Sequence, residues 1–234
     1  MNRVWLFDLD DTLHDAGGAA MPGIIAAMGE YVQRELALSK DEADALRRHY
    51  WRRYGATLLG LVRHHGVDAA HFLHQTHLLP GLEERLRQHP HDVAALARLR
   101  GRKFILTNAP RVYAERVLAE LGLRRHFDGV VCIEDMRMFG QLRPKPDLRM
   151  FRRLAARLKV HPSRCVLVED TLAHQKSARQ LGMTTVWMQR WAKHGAAHGA
   201  GHGASGQKVG VYLHRKPAYV CARIVSLQQL MRLP

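Results

Sequence analysis

Residues 4–13, VWLFDLDDTL, constrain what this chain can fold into more than any other stretch. Five of the first six are hydrophobic or aromatic, as in a strand buried on both faces. Asp8, Asp10 and Asp11 then crowd into four positions. Carboxylates this close repel one another and resist burial unless a cation or a transferred proton offsets them. The chain therefore has to bring a compensating group to the end of its first strand.

At 234 residues, 47% of them hydrophobic, the chain can build one sizeable core and a smaller lobe. Short runs suited to buried strands occur at residues 4–8, 103–107, 130–133, 165–169, 185–188 and 219–224. Helical patterns separate most of them. In residues 147–159, Leu148, Phe151, Leu154, Ala155 and Leu158 share one face, and Asp147 can serve the first turn. PRVYAERVLAELGL and TLAHQKSARQLGM do likewise, each closing on a glycine after leucine. This alternation predicts an α/β fold, a parallel sheet with helices on both faces.

Residues 14–91 break the alternation, with helical patterns and no convincing strand. Ile25, Met28, Val32 and Leu36 mark one helix, and residues 43–54, 58–65 and 69–74 suggest more. A small all-helical domain over residues 14–91, inserted into a core of residues 1–13 and 92–234, is the economical expectation. Residues 193–206, KHGAAHGAGHGASG, lack a core-forming pattern. They are expected to form a surface loop, its His194, His198 and His202 at most weak metal ligands.

The formal charge of +15 suits either nucleic-acid binding or a field that draws in small anions. Its arginines are scattered through helical stretches without aromatic platforms or a recognition-helix pattern, which favours the second use. Cys132, Cys165 and Cys221 each sit in a Val/Ile-rich run, so buried core positions are expected for all three. No apolar run approaches the roughly 20 residues of a membrane helix, and aspartate arrives too early for a signal peptide. A cytoplasmic protein with no membrane partner is the expectation.

In a parallel α/β sheet, ligands bind outside the carboxyl ends of the strands. Asp8 and Asp10 end the first strand, Thr107 and Asn108 another, and Glu169 and Asp170 a third, while RPKPD delivers Lys145 between two prolines. These groups fit phosphoryl transfer. Asp8 can attack phosphorus to form an acyl phosphate that water later hydrolyses. A hard divalent cation held by Asp8 and Asp170, with magnesium suited to the oxygen ligands, would mask the charge of the nucleophile. Asp10 can protonate the leaving oxygen and then activate water. Thr107 and the backbone amides before the helix near Pro110 can cradle phosphate oxygens, and Lys145 can neutralise developing charge.

DLDDT, LTNA, RPKP and LVED, in this order, resemble the four motifs of the haloacid dehalogenase superfamily, and the helical insertion resembles its type 1 cap. The likeness covers residues 3 to about 190. It implies a Rossmann-like core, Asp8 as nucleophile, and Asp10 as acid/base and donor of a backbone carbonyl to Mg2+. It further implies Thr107 as phosphate binder with Asn108 beside it, Lys145 as charge neutraliser and Asp170 as metal ligand. Many members carry an acid or amide a few residues past the last aspartate, where this chain has His174, so Glu169 is expected to supply acidic support.

Dehalogenases of the superfamily lack the second aspartate, so Asp10 points to phosphate chemistry. Residues 54–74, YGATLLGLVRHHGVDAAHFLH, are similar to the cap segment of pyrimidine 5'-nucleotidases, and residues 104–123 continue the similarity. The resemblance implies hydrolysis of UMP and CMP, a nucleoside monophosphate partner, and Tyr54 and Thr57 as specificity residues. A sugar-phosphate or phosphoglycolate phosphatase is the enzymatic alternative. A basic nucleic-acid-binding protein on the same scaffold is the non-enzymatic one.

Overall fold

The computed structural model describes residues 3–87, 89–191 and 215–233. β1 (Val4–Phe7) is followed by six helices: α1 (Ala16–Ala19), α2 (Met21–Leu36), α3 (Lys40–Tyr54), α4 (Thr57–His65), α5 (Ala69–Thr76) and α6 (Leu82–Arg85). Then come α7 (Pro90–Arg98), β2 (Arg102–Leu106), α8 (Arg111–Glu120), β3 (Gly129–Val131), β4 (Arg137–Met138) and β5 (Gln141–Leu142). The chain continues through α9 (Leu148–Arg157), β6 (Cys165–Glu169), α10 (Leu172–Gln180), β7 (Thr184–Met188) and β8 (Ala222–Ile224).

Six strands make one parallel sheet in the order β3-β2-β1-β6-β7-β8, and β4 with β5 forms a separate antiparallel pair. Side chains alternate across β1. Trp5 and Phe7 join Leu96, Tyr113, Val117 and Val168 on one face, whereas Val4 and Leu6 join Met150, Phe151, Leu154 and Leu167 on the other. Both faces are thus covered, which is why the strands read as unbroken apolar runs rather than alternating ones. Gly122 and Gly182 adopt φ of 63° and 82° just past α8 and α10, the left-handed geometry that their place after leucine signalled.

Helices α2 to α5 carry a third cluster, built from Tyr31, Val32, Tyr50, Leu58, Leu61, Phe72 and Leu73. Ile133 belongs to it and Leu142 packs against it, so this helical layer rests on the segment between β3 and α9. The ends of the insertion pack elsewhere. Ala19, Ala20, Ile24, Leu79, Leu82 and Leu86 share the cluster of the main sheet. Among the described residues no helix is long and apolar enough to cross a membrane.

Three local expectations need correction. Cys132 and Ile133 do not extend β3, because the Asp135 carboxylate accepts from the Cys132 amide at 2.9 Å and turns the chain into a 3-10 helix over Ile133–Met136. The last strand is only Ala222–Ile224, and Cys221, just before it on the edge of the sheet, is exposed. Helix α7, which begins at Pro90, a residue suited to the first helical turn, runs on to Arg98, across the boundary expected at residue 91. The tract at residues 193–206, with His194, His198 and His202, lies outside the described residues.

Candidate active site

The order of strands reverses beside β1, with β2 and β3 on one side and β6 to β8 on the other. Ligands bind outside the carboxyl ends of strands at such a switch. The register pairs Phe7 with Ile105 and with Val168, so Asp8 emerges level with Glu169 and close to Thr107. Lys145 arrives from the segment after β5 and is only 2% exposed. Its Nζ donates to Asp8 Oδ1 at 2.6 Å and to Glu169 Oε2 at 2.7 Å. Burial opposes the lysine charge, but Asp8 and Glu169 outweigh it and raise its pKa. The compensating cation demanded by the first strand is thus present, drawn from 137 residues away.

One ammonium does not balance the acids gathered here. A ligand oxygen from each of Asp8, Glu169 and Asp170 lies within 4.8 Å of the others. Burial, and after it the Glu169 charge, pushes Asp8 up to about 8. Burial, Glu169 and Asp8 likewise raise Asp170 well above the usual carboxylate range. Glu169 moves the other way in spite of its burial, because Lys145 and His174 face it. Carboxyls that ionise this reluctantly in a cluster of hard oxygen donors fit a hard divalent cation. His174 Nδ1 lies 3.1 Å from Glu169 Oε2, so histidine at this place serves the glutamate rather than replacing an acid.

Asp10 follows on a tight turn in which Asp11 has φ of 54°, a left-handed conformation that aspartate tolerates better than most residues. Asp11 Oδ1 accepts from the Gly17 amide at 2.9 Å and holds the chain as it leaves the site. Asp10 Oδ1 receives two side chains that the sequence reading missed, Tyr113 Oη at 2.7 Å and His14 Nε2 at 2.9 Å. Burial pushes the Asp10 carboxyl up, but the His14 hydrogen bond and charge, with the Tyr113 hydrogen bond, outweigh it and hold it below the usual range. Its resting form near neutral pH is therefore the carboxylate. The spacing of four residues between Asp10 and His14 was a visible signal, whereas nothing local links Tyr113 to Asp10. Thr12 also escaped notice, and its Oγ1 donates to Asp8 Oδ2 at 3.3 Å.

Thr107 is buried and its Oγ1 accepts from the Ala109 amide at 3.0 Å. Asn108 does something other than reach outward. Its Nδ2 donates to the Lys145 carbonyl at 3.0 Å and its Oδ1 accepts from the Lys145 amide at 2.9 Å. That pair of hydrogen bonds pins the backbone that carries the lysine, leaving any phosphate contact of Asn108 to its main chain. The first amide of α8, that of Arg111, is taken by Glu134 at 2.9 Å, so the expected cradle of amides is narrower than the helix start suggested.

The hydroxyls of Tyr54 and Thr57 are engaged within the helical layer. Tyr54 Oη pairs with His64 Nε2 at 2.5 Å, and Thr57, buried at the start of α4, donates to the Arg47 carbonyl at 3.3 Å. Their loop nonetheless abuts the site, since a methyl group added at Gly55 would lie 3.9 Å from Pro146 Cδ.

Comparison with known proteins extends these observations. A glyceraldehyde 3-phosphate phosphatase of Methanothermobacter thermautotrophicus is 25% identical over 215 residues, 80% of this chain and 85% of that protein. Phosphate metabolism protein 8 of Saccharomyces cerevisiae is 25% identical over 195 residues, 77% of this chain and 60% of the yeast protein, whose length the chain spans only in part. Fructose-1-phosphate phosphatase YqaB of Escherichia coli is 38% identical over 80 residues, 34% of this chain and 40% of that protein. Among solved structures, a haloacid dehalogenase superfamily phosphatase of Thermococcus onnurineus superposes with a TM-score of 0.61 at 22% identity, covering 99% of this chain and 97% of the other. L-2-haloacid dehalogenase of Xanthobacter autotrophicus gives 0.56 at 20% identity, covering 100% and 98%. Residues 3–182 match the haloacid dehalogenase-like hydrolases as a family, and the chain belongs to that family.

Proposed function

We propose that the chain is a Mg2+-dependent phosphomonoesterase working through an aspartyl phosphate, with small phosphorylated sugars as its substrate class. The observation that carries the chemistry is the pairing of Asp8 with Lys145 at the buried end of β1, with Asp10 two residues on. Asp10 matters because a leaving alkoxide needs a proton and a leaving halide does not. The sugar-phosphate reading draws support from two relatives, named for glyceraldehyde 3-phosphate and fructose 1-phosphate. We take α2 to α5 as the cap over this site.

Asp8 and Asp170, with the backbone carbonyl of Asp10, are the groups that would hold Mg2+. Bound there, the ion would mask the charge of the nucleophile from the incoming phosphate. In the first step an Asp8 oxygen forms a bond to phosphorus as the ester P–O bond breaks, its electron pair staying on the leaving oxygen, which takes a proton from Asp10. Asp10 needs that proton beforehand, and a phosphomonoester, whose second ionisation falls near pH 6, can bring it. In the second step water attacks phosphorus and gives a proton to Asp10, while the bond to Asp8 breaks and inorganic phosphate leaves. Lys145 keeps Asp8 aimed and offsets charge throughout.

A second reading, hydrolysis of pyrimidine 5'-nucleotides, rests on the similarity of residues 54–74 and on the nearness of Gly55 to Pro146. Phosphate release should be measured with glyceraldehyde 3-phosphate, fructose 1-phosphate, phosphoglycolate, UMP, CMP, AMP and GMP, with and without Mg2+. Turnover of sugar phosphates that needs Mg2+ and vanishes in Asp8→Asn is the expected result. Full activity in Asp8→Asn would overturn the mechanism. A preference of at least about 10-fold for UMP and CMP over the purine nucleotides and the sugars would promote the second reading.

A further inference from the structure

We propose that Tyr113 and His14 are positioning residues that orient the acid/base Asp10, by occupying Oδ1 so that Oδ2 faces the leaving group. The inference rests on the phosphatase reading above and deepens it.

The geometry is specific. Tyr113 is fully buried in the middle of the cluster under the sheet, a place that a phenylalanine ring would fill equally well. Its hydroxyl donates to Asp10 Oδ1 at 2.7 Å, across a separation of 103 residues. His14 is 1% exposed, and its Nε2 reaches the same oxygen at 2.9 Å, while Tyr113 Oη and His14 Nε2 stand 3.4 Å apart. Two donors on Oδ1 use the acceptor sites of that oxygen and leave Oδ2 for the substrate. His14 donates from Nε2 when the proton resides there, and its Nδ1 is buried without a hydrogen-bond partner. The Asp10 side chain keeps 19% of its surface open, so a ligand can reach it.

The clamp is itself braced. The ring of His77, just past α5, packs edge-on against Tyr113 with centroids 5.6 Å apart. An aspartate turns freely about its last bond unless something fixes it, and acid/base transfer depends on placing the proton carrier within hydrogen-bond reach of the reacting oxygen. Tyr113 comes from the helix that follows Thr107, so one helix start secures both the phosphate-side threonine and the proton carrier.

The test is the dependence of rate on the leaving group. An alkyl phosphate needs protonation of its leaving oxygen, whereas 2,4-dinitrophenyl phosphate expels a stable phenolate without help. Tyr113→Phe keeps the ring and removes only the hydroxyl. Its kcat/KM for an alkyl phosphate should fall by about 10- to 100-fold, a fraction of what general acid catalysis supplies. Its kcat/KM for the dinitrophenyl ester should change by less than about 3-fold, and a burst of dinitrophenolate equal to the enzyme should precede slow turnover, because release of the phosphoenzyme still needs a well-placed base. His14→Gln, whose amide can donate to the same oxygen, should retain more alkyl phosphatase activity than His14→Ala. Equal losses on both esters in Tyr113→Phe with unchanged circular dichroism, or no loss on either, would overturn the inference. A wild-type protein that hydrolyses neither ester would instead overturn the phosphatase reading beneath it.

Discussion

Replacing Lys145 with methionine tests whether the buried charge cluster is held together as the geometry requires. The lysine side chain is 1% exposed and makes two short contacts, to Asp8 and to Glu169, which are themselves 8% and 1% exposed. Lys145→Met preserves most of the volume while stranding two carboxylates in the protein interior. Breaking a buried pair from one side costs about 3–5 kcal/mol, because Asp8 is left with the Thr12 hydroxyl and Glu169 with His174, neither of which replaces the buried ammonium. For a chain of this size that corresponds to a fall in melting temperature of roughly 6–20 °C. The stranded carboxyls relieve part of the cost by keeping protons, which gives the effect a direction in pH. Their folded-state pKa values rise above the unfolded ones, so the folded variant binds protons that the unfolded chain has released, and its stability drops as pH increases. Lys145 holds Glu169 below the usual range in the wild type, so its loss lets Glu169 keep a proton in the folded variant that the wild type has released, and the deficit should widen from pH 5.5 to pH 8.5. Thermal unfolding of wild type, Lys145→Met, Glu169→Gln and the double variant, followed by circular dichroism in EDTA, measures it. The double variant should recover about 1–2 kcal/mol of the loss, since a neutral amide replaces one stranded charge. A loss below about 1 kcal/mol at pH 8.5, or one that does not vary with pH, would refute the reasoning.

Adding Mg2+ to metal-free protein should raise the melting temperature, by an amount equal to about 2.7 kcal/mol at a hundred times the dissociation constant, and Asp170→Asn should lose most of that gain. His77 is pushed down to about 4 from 6.5 by burial. The unfolded chain therefore takes up a proton that the folded one refuses, so stability is intact above pH 6.5 and is lost as pH falls toward 4, by up to about 3 kcal/mol. A series of unfolding curves from pH 7 to pH 4 should accordingly be flatter for His77→Gln than for wild type. In the helical layer, a methyl group at Gly60 would meet the Tyr50 ring at 2.1–2.5 Å, so Gly60→Ala should cost about 1–3 kcal/mol of overpacking, read in denaturant melts.

Much of this protein is legible from local pattern. Apolar runs that end in acids mark β1 and β6, because a strand buried on both faces cannot hide its polar residues until it reaches an edge. The same rule aligns Asp8, Thr107, Glu169 and Asp170 on one side of the sheet before any coordinate is known. Patterns are silent where the partner of a group is remote in the chain. Asn108 has the right neighbours for a phosphate binder, yet its amide is spent on the Lys145 backbone, a choice made by the approach of a segment 37 residues away. The hydroxyls of Tyr54 and Thr57 bond within the helical layer, to His64 and to the Arg47 carbonyl, partners that no local pattern marks.

The parallel α/β core, the helical stretch after β1 and the strand-end acids are thus written in the local pattern of the chain. Each of these follows from periodicity and from the cost of burying charge. The packing of elements sets the rest: Lys145 closes on both Asp8 and Glu169, His174 faces Glu169, and Tyr113 reaches Asp10. Those pairings join residues from different elements, and a hydrogen bond of about 2.7 Å depends on where whole helices and strands pack against one another. The composition of any single segment carries no record of that distance.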